Sequence, residues 1–144
     1  MSDLQGLFFM WLYEEKELTE VPEPYIGFVY CITNLLNGKK YIGKKNFYSI
    51  RRVKQKNRKN KKKVKNVSDW QLYFGSNSVL NSDVETYGSF HFKREILRLC
   101  KSKAELGYFE TKIIFERDAI LDNNYYNEWV SCKINKKHLA KLTF

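Results

Sequence analysis

Residues 25–43 constrain the fold more than any other part of this sequence. Residues 25–33 read YIGFVYCIT, a run that is apolar at odd and even positions alike and rich in β-forming residues. Such a run predicts a central strand covered on both faces. The pair Asn37-Gly38 marks a turn, and residues 39–43 (KKYIG) predict the returning strand of a hairpin.

Tyr30 and Tyr41 share one face of this hairpin, because side chains alternate along a strand. With a two-residue loop Tyr41 would pair with Asn34, which leaves the tyrosines about four residues apart. A four-residue loop over residues 34–37 would place them directly opposite each other. Tyrosines in strands usually serve packing. The alternative is chemical, because neighbouring cations would lower the phenol pKa. The lysines that flank Tyr41 are Lys39, Lys40, Lys44 and Lys45.

Three further elements follow the hairpin. Apolar residues at i, i+4 and i+7 predict a helix that stops at Gly88. Residues 89–99 carry apolar side chains on one parity and predict a third strand. Ser102 and Glu105 form a capping box, which begins a helix that continues to about Leu121.

Residues 1–24 are interpreted as an N-terminal extension that packs on the domain or on a partner, and residues 25–144 as a single domain. With 43% apolar residues the chain can bury a core.

The longest apolar run, residues 7–13, is too short to span a bilayer and lacks the features of a signal peptide. We therefore expect a soluble intracellular protein with no membrane partner. The spacing of its three cysteines and two histidines predicts reduced thiols and no zinc site.

Residues 51–65 carry the charge that distinguishes this chain. They contain ten Lys or Arg and no acid, which equals the formal net charge of +10 of the whole chain. A partner with dense negative charge is indicated, above all nucleic acid. The segment shows no hydrophobic periodicity, so a flexible basic loop is predicted at residues 51–66. A solvated loop or a localisation patch is the alternative.

Glu110 is a charged residue that the helical pattern directs toward the core. With Leu106 at 0° and about 100° per residue, Glu110 falls at about 40°, inside a stripe of apolar side chains. No cation lies at i±3 or i±4, although a buried carboxylate is costly without a partner. Two interpretations remain open, a buried ion pair with Arg117 or a hairpin lysine, and a metal ligand.

Four elements, taken in order, resemble the GIY-YIG nuclease superfamily. Residues 28–43, FVYCITNLLNGKKYIG, resemble its signature, with the family's spacing of ten residues between two tripeptides. Arg51 stands where the family has its catalytic arginine, and Glu110 where it keeps its single metal-binding glutamate. Tyr126-Asn127 resembles the late pair that closes the site. The segments YIGKKNF, DWQLYFGSN and FKREILRLCKSKAEL are most similar to small phage-encoded endonucleases of this superfamily.

The resemblance implies an α/β chain of the α+β kind, with a small three-stranded antiparallel sheet flanked by helices. It also implies hydrolysis of DNA phosphodiester bonds. Glu110 would hold Mg²⁺ or Mn²⁺, and Tyr30 would act as the general base for the attacking water. Tyr41 would orient that water, and Arg51 would clamp the phosphoryl oxygens. Asn127 would fix Tyr30 or Glu110 in place.

The sequence departs from the family pattern at three points. Its first tripeptide is Phe-Val-Tyr, with the glycine at position 27, which is a conservative change on a strand. Some members place a histidine just after the hairpin, and this chain has none before His91. Lys44 or Lys45 would substitute for it, and we assign Lys45 to the catalytic residues. Arg52 competes with Arg51, because the spacing allows a slip of one residue.

The basic segment would bind the backbone of duplex or branched DNA without reading its sequence. The expected activity is a homing-like, DNA-processing or DNA-degrading endonuclease, acting in the host bacterial cytoplasm if it is phage-encoded. The alternatives are a catalytically inactive nucleic-acid-binding protein, and a nuclease subunit targeted by a partner protein or a second copy docked through the N-terminal extension. The predicted DNA-binding residues are Lys44, Arg52, Lys54, Lys56, Arg58, Lys59, Lys61, Lys62, Lys63 and Lys65.

Overall fold

A computed structural model describes residues 10–140, and these form one main sheet, a separate hairpin and three helices. The strands are β1 (Trp11–Tyr13), β2 (Lys16–Leu18), β3 (Gly27–Asn34), β4 (Lys40–Asn46), β5 (Tyr48–Val53), β6 (Lys62–Val67) and β7 (Phe92–Cys100). The helices are α1 (Ser78–Tyr87), α2 (Lys103–Glu116) and α3 (Lys136–Leu139).

The main sheet has five strands in the order β2-β1-β7-β3-β4. β1 runs parallel to β7, and the other neighbours are antiparallel. The α+β class is confirmed, but the sheet is larger than the predicted three-stranded antiparallel sheet. The difference comes from β1 and β2, which have three residues each and are too short to show a hydrophobic period.

Trp11 fixes the N-terminal strands to the rest of the fold. Its side chain is buried, and its indole Nε1 donates a hydrogen bond of 2.6 Å to the Trp70 carbonyl. Leu12 is buried as well. The N-terminal extension, which the sequence suggests as a docking segment, contains the apolar run at residues 7–13, and residues 7–9 of that run lie outside the described residues. Its later residues Trp11 and Leu12 are used inside the fold.

β3 is the central strand, as predicted, and its two faces are covered by different layers. Phe28, Tyr30 and Ile32 enter an aromatic cluster that also contains Trp11, Phe47 and Trp70. Val29 and Cys31 face the other way and pack with Leu106, Phe109 and Ile114 of α2. The side chain of Tyr30 and the helix that carries Glu110 therefore lie on opposite faces of the sheet.

The β3–β4 hairpin has a register between the two that the sequence suggested. Tyr30 is opposite Gly43, and Tyr41 is opposite Ile32, so neither predicted pairing of Tyr41, with Asn34 or with Tyr30, forms. The reason lies in the turn, where the Gly38 amide donates to the Asn34 carbonyl at 2.7 Å. The shared face of the tyrosines is confirmed, and their ring centroids are 6.2 Å apart.

The helix signals are confirmed except for one end. α1 stops at Gly88, whose φ of 98° is one that residues with a side chain rarely adopt. The Ser102 hydroxyl accepts a hydrogen bond of 3.1 Å from the Glu105 amide, which is the predicted cap. α2 ends at Glu116, earlier than predicted, because the chain turns into the left-handed region at Asp118 (φ 51°).

The basic segment forms a two-stranded hairpin rather than the predicted flexible loop. β5 and β6 pair in antiparallel fashion over six residues each. Both strands contain Val or Ile, whose β-propensity the high charge of the segment conceals. The base of the hairpin is held by Phe47, which is buried and whose carbonyl accepts a hydrogen bond from the Ser68 amide at 2.8 Å. Beyond the base the side chains are mostly exposed, and Arg52 stands directly opposite Lys63.

Two expectations drawn from composition concern membranes and thiols. Within residues 10–140, no helix has both the length and the apolar character that a membrane crossing requires. Cys31 and Cys100 are buried, Cys132 is exposed, and all three are free thiols. Two of the three thiols are therefore covered by the fold, while Cys132 is accessible.

Candidate active site

A cleft of about 360 Å³ opens beside the edge strand β4. β4 contributes Tyr41 and Lys44 to its walls, and α2 contributes Glu110. The remaining walls come from the start of α1 and from residues 127–131, which have no regular structure. Three of the predicted catalytic residues, Tyr41, Glu110 and Asn127, therefore meet at one place.

Glu110 is half-buried and lines this cleft. Within the described chain this carboxylate has no ion-pair partner and no hydrogen-bond partner, so the predicted pair with Arg117 does not form. Burial raises the pKa of the Glu110 carboxyl, and the charge of Lys44 opposes that shift. A desolvated carboxylate without a direct partner is well suited to bind a cation.

Tyr41 reaches the cleft from the aromatic face of the sheet. Its hydroxyl lies 3.1 Å from the Ser76 hydroxyl, with which it shares a hydrogen bond. The ring is partly buried, and this burial raises the pKa of the Tyr41 phenol above its usual value. At neutral pH the phenol is therefore protonated and can donate a hydrogen bond.

Tyr30 does not line the cleft. Its side chain is 1% exposed, and its phenol lies so close to Gly43 that a side chain on that residue would collide with it. Burial first, and then the neighbouring Tyr73 and Tyr41, raise the pKa of Tyr30 well above its usual value. The expected lowering of the Tyr30 pKa is therefore wrong, because burial in the aromatic cluster outweighs the nearby lysines. Glycine is required at position 43 to make room for this phenol.

Asn127 is buried against the edge of β4. Its side-chain amide makes the two backbone hydrogen bonds that a neighbouring strand would otherwise make. Its Oδ1 accepts a hydrogen bond from the Ile42 amide at 2.9 Å, and its Nδ2 donates one to the Ile42 carbonyl at 2.8 Å. The expected hydrogen bond to Tyr30 or Glu110 is replaced by this pair of bonds to the backbone. Asn127 therefore holds the edge of β4 in place, next to Tyr41.

The two lysines after the hairpin signature have different environments. The Lys45 ammonium lies 2.7 Å from the Asp69 carboxylate and 4.2 Å from the centre of the Tyr73 ring. It does not line the cleft. Lys44 does line it, and its charge acts on Glu110. Of the two candidates for the missing histidine, the structure places Lys44, rather than Lys45, at the site.

The arginines predicted for the site lie on the β5–β6 hairpin. Arg51 is exposed and paired with Val64, and Arg52 is exposed on the other face of the same strand. Neither lines the cleft, and no other arginine in the described chain does. The structure therefore does not bring Arg51 to Glu110.

Several residues at the cleft were not predicted from the sequence. Ser76 holds the Tyr41 hydroxyl, and Asn77 donates a hydrogen bond of 3.0 Å to the Tyr126 carbonyl. Trp129 is 73% exposed at the rim, which is unusual for so large an apolar side chain. These residues lie in turns or irregular segments, where no periodic pattern could reveal them. Ser76 and Asn77 belong to the segment DWQLYFGSN, residues 69–77, and its similarity to phage endonucleases was the signal that could have found them.

The donor set of the cleft can be compared with what metal ions require. No group of three or more His, Cys, Asp or Glu that could hold a metal is found among the described residues. Zinc sites need such a group, whereas Mg²⁺ keeps several waters and often uses one or two carboxylates together with substrate phosphates. Two carboxylates line the cleft, the half-buried one of Glu110 and the exposed one of Glu128, and this donor set fits the second kind of cation.

The chain is similar in sequence to a family of phage endonucleases. The family model described as "Putative endonuclease segE, GIY-YIG domain" matches residues 11–130. A protein of Enterobacteria phage T4, "Putative endonuclease segE", is 34% identical to the chain over 100 residues. That match covers 69% of this chain and 39% of the T4 protein, so the chain spans about two-fifths of that relative's length. No solved structure matches the chain.

Proposed function

The chain belongs to the GIY-YIG endonuclease family, and we propose from this membership that it is a DNA endonuclease that needs a divalent cation. The observation that carries the proposal is the Glu110 carboxylate, which is half-buried, has no partner in the described chain, and lines a cleft with Tyr41 and Lys44. Glu110 would hold Mg²⁺ or Mn²⁺. When bound, the cation would stabilise the negative charge that develops on the phosphate and on the leaving oxygen.

The residues of the chain would then supply positioning and proton transfer. A water oxygen would attack phosphorus, the bond from phosphorus to the 3′ oxygen would break, and the proton of the water would pass to Tyr41 Oη in the fraction of molecules whose phenol is ionised. The 3′ oxygen takes a proton from solvent. Lys44 neutralises part of the phosphate charge, and Asn127 keeps β4 and Tyr41 in place. We assign the base to Tyr41 rather than Tyr30 because only Tyr41 lines the cleft.

Cleavage of plasmid and branched DNA tests the proposed activity. With Mg²⁺ or Mn²⁺, supercoiled plasmid should be converted to nicked or linear forms, and EDTA should prevent this. The form of the product and the preferred substrate would separate homing, processing and degradation of DNA from one another. A chain that leaves all of these substrates intact with both cations would contradict the proposal.

Cleavage should become faster as pH rises, if Tyr41 is the base. Because the raised pKa keeps the phenol protonated at neutral pH, the reactive phenolate increases about tenfold per pH unit below that pKa. We expect this slope for single-turnover cleavage between about pH 7 and pH 9. Tyr41→Phe should remove the slope and lower the rate by roughly a hundredfold or more.

Tyr30→Phe is the matched variant for this measurement. It removes one phenol hydroxyl from the same face of the hairpin, at a residue that does not line the cleft. The pH slope should persist in Tyr30→Phe. If the cleavage rate no longer depends on pH in Tyr30→Phe but keeps the wild-type dependence in Tyr41→Phe, Tyr30 is the general base.

Trp129 should report the arrival of DNA in the cleft. Trp11 and Trp70 are each 1% exposed, so Trp129 is the exposed tryptophan of the three in the sequence. Glu110 and Trp129 line the same cleft, so we expect a phosphodiester bound at Glu110 to bring a base close to this indole, where stacking would quench its fluorescence. We expect duplex DNA to quench the wild-type chain and to leave Trp129→Leu unchanged. DNA that binds without any quenching would show that the cleft is not its site.

A catalytically inactive nucleic-acid-binding protein is the second candidate function. It is favoured by one observation, the lack of an arginine at the cleft within the described residues. This candidate predicts tight DNA binding without cleavage under any cation. The plasmid assay and the fluorescence measurement together distinguish it from the nuclease.

A further inference from the structure

Two further concavities adjoin the cleft, and lysines line both of them. The first, of about 600 Å³, lies between the base of the β5–β6 hairpin, the end of β4 and the start of α2. The second, of about 390 Å³, lies between the start of α2 and residues 131–138. None of the described residues that line them is Asp or Glu. Their lysines are Lys44, Lys45, Lys65, Lys101, Lys103 and Lys133.

Both concavities share lining residues with the Glu110 cleft. Lys44 lines all three spaces, and Lys103 lines both concavities. We call this surface, with its six lysines, the lysine groove. Lys101 and Lys103 follow β7 in sequence, far from the basic segment, so the fold alone brings them to it.

Five of the six lysine charges of the groove have no ion-pair partner within residues 10–140. The sixth lysine, Lys45, pairs with Asp69. Positive charges gathered on a concave surface raise the local concentration of anions. An extended ligand with regularly spaced negative charges would complement the groove, and a sugar-phosphate backbone has these properties.

From this surface we infer that the strand to be cut runs along the lysine groove, from the base of the hairpin past Lys101 and Lys103 to Glu110. The inference rests on the proposed function, because the cleft is the end point of the path. Lysine contacts to phosphates position a strand without reading its bases. The groove would therefore set where the backbone lies, and would not set which sequence is cut.

Two double variants with the same change in charge test the path. Both are made in a Glu110→Gln background, so that DNA is bound without being cut. The groove pair is Lys101→Gln with Lys103→Gln. The control pair is Lys16→Gln with Lys112→Gln, two exposed lysines that line neither the groove nor the cleft.

The dissociation constant for a duplex of roughly 30 base pairs is measured as a function of salt concentration. Since each phosphate contact contributes about 0.9 to the slope of log Kd against log salt, the groove pair should reduce that slope by about two. It should also weaken binding about tenfold near 100 mM salt, whereas the control pair should change Kd less than about twofold.

Cys132 gives an independent readout of the same path. It lines the second concavity and is exposed, while Cys31 and Cys100 are buried. Duplex DNA should slow the alkylation of Cys132 by a maleimide several-fold. The groove pair should lose this protection at a DNA concentration that still saturates the control pair.

The outcomes separate the path from the nuclease function. Equal weakening by both pairs, or a Cys132 that stays reactive when DNA is bound, would overturn the lysine groove. If the wild-type chain cleaves DNA while Cys132 stays reactive, the proposed path along the lysine groove is wrong and the nuclease function stands. Protection of Cys132 in a chain that cuts no DNA would overturn the nuclease function and leave the groove in place.

Discussion

Glu110→Gln should lower cation-dependent DNA cleavage roughly a thousandfold or more. The variant keeps the shape of the side chain and removes the charge that would hold the cation. Charge stabilisation by a bound metal ion contributes several kcal/mol to such a reaction, and each 1.4 kcal/mol is about a tenfold change in rate. Single-turnover cleavage of supercoiled plasmid with Mg²⁺ and with Mn²⁺ is the measurement.

Glu128→Gln is the matched control for this experiment. Glu128 lines the same cleft but is exposed, and its replacement makes the same change in charge. We expect its cleavage rate to stay within a few-fold of wild type. An equal loss in both variants would contradict the assignment of a single carboxylate to the cation. Equal cleavage by Glu110→Gln and wild type would place the chemistry elsewhere or assign it to a contaminating nuclease.

Stability separates a catalytic effect of Glu110→Gln from a folding defect. Burial raises the pKa of this carboxyl in the folded state, so its ionised form disfavours folding once the pH exceeds the pKa of the unfolded chain. Without metal, the melting temperature of the variant should therefore equal or exceed that of wild type at neutral pH. This difference should disappear toward about pH 4. Added Mg²⁺ or Mn²⁺ should stabilise wild type and not the variant.

Local sequence patterns were sufficient for the centre of the fold. β3, β4 and the cap at Ser102 each follow from residues that are neighbours in the chain, and so does the position of Glu110 on the inner side of α2. In each case the signal is a period or a cap that needs only a few consecutive residues. The β5–β6 hairpin was missed because its charge outweighed the β-propensity of its Val and Ile residues.

The environment of the site depends on distant contacts and could not be predicted in this way. The direction of the Tyr30 pKa follows from burial between Tyr41 and Tyr73, and Tyr73 is 43 residues away in the chain. Ser76 and Trp129 reach the cleft from segments without regular structure. For Arg51 the prediction included a residue that the fold leaves out of the cleft. Its position in the sequence suggested a catalytic role, but it lies on the separate β5–β6 hairpin.

Shortening the β5–β6 hairpin should weaken DNA binding by about a hundredfold or more at physiological salt. Ile50 and Lys65 are directly opposite each other, so an Asn-Gly turn can join them after residues 51–64 are removed. The change removes nine of the ten basic residues in residues 51–65 and keeps Lys65 in the lysine groove. If half of these charges contact phosphates, the slope of log Kd against log salt should fall by about four.

A second variant keeps the hairpin and replaces the same nine basic residues with glutamine. Because a two-stranded ribbon fits the major groove of DNA, the shortened chain should bind more weakly than the glutamine variant if the shape of the hairpin contributes. Equal affinities would show that its charge alone acts. An unchanged salt slope in both variants would remove the hairpin from the DNA interface.

The shortened chain also decides the role of Arg51, which it lacks. Tyr41, Lys44 and Glu110 lie outside the removed residues, so the cleft should stay intact. If Arg51 only holds DNA, cleavage at saturating DNA should proceed at close to the wild-type rate, and only the concentration needed for saturation should rise. If Arg51 acts on the phosphate, the rate at saturation should fall by two or more orders of magnitude. Arg51→Lys would then reproduce that loss with the hairpin present, because lysine cannot contact two phosphoryl oxygens in the bidentate way that arginine does.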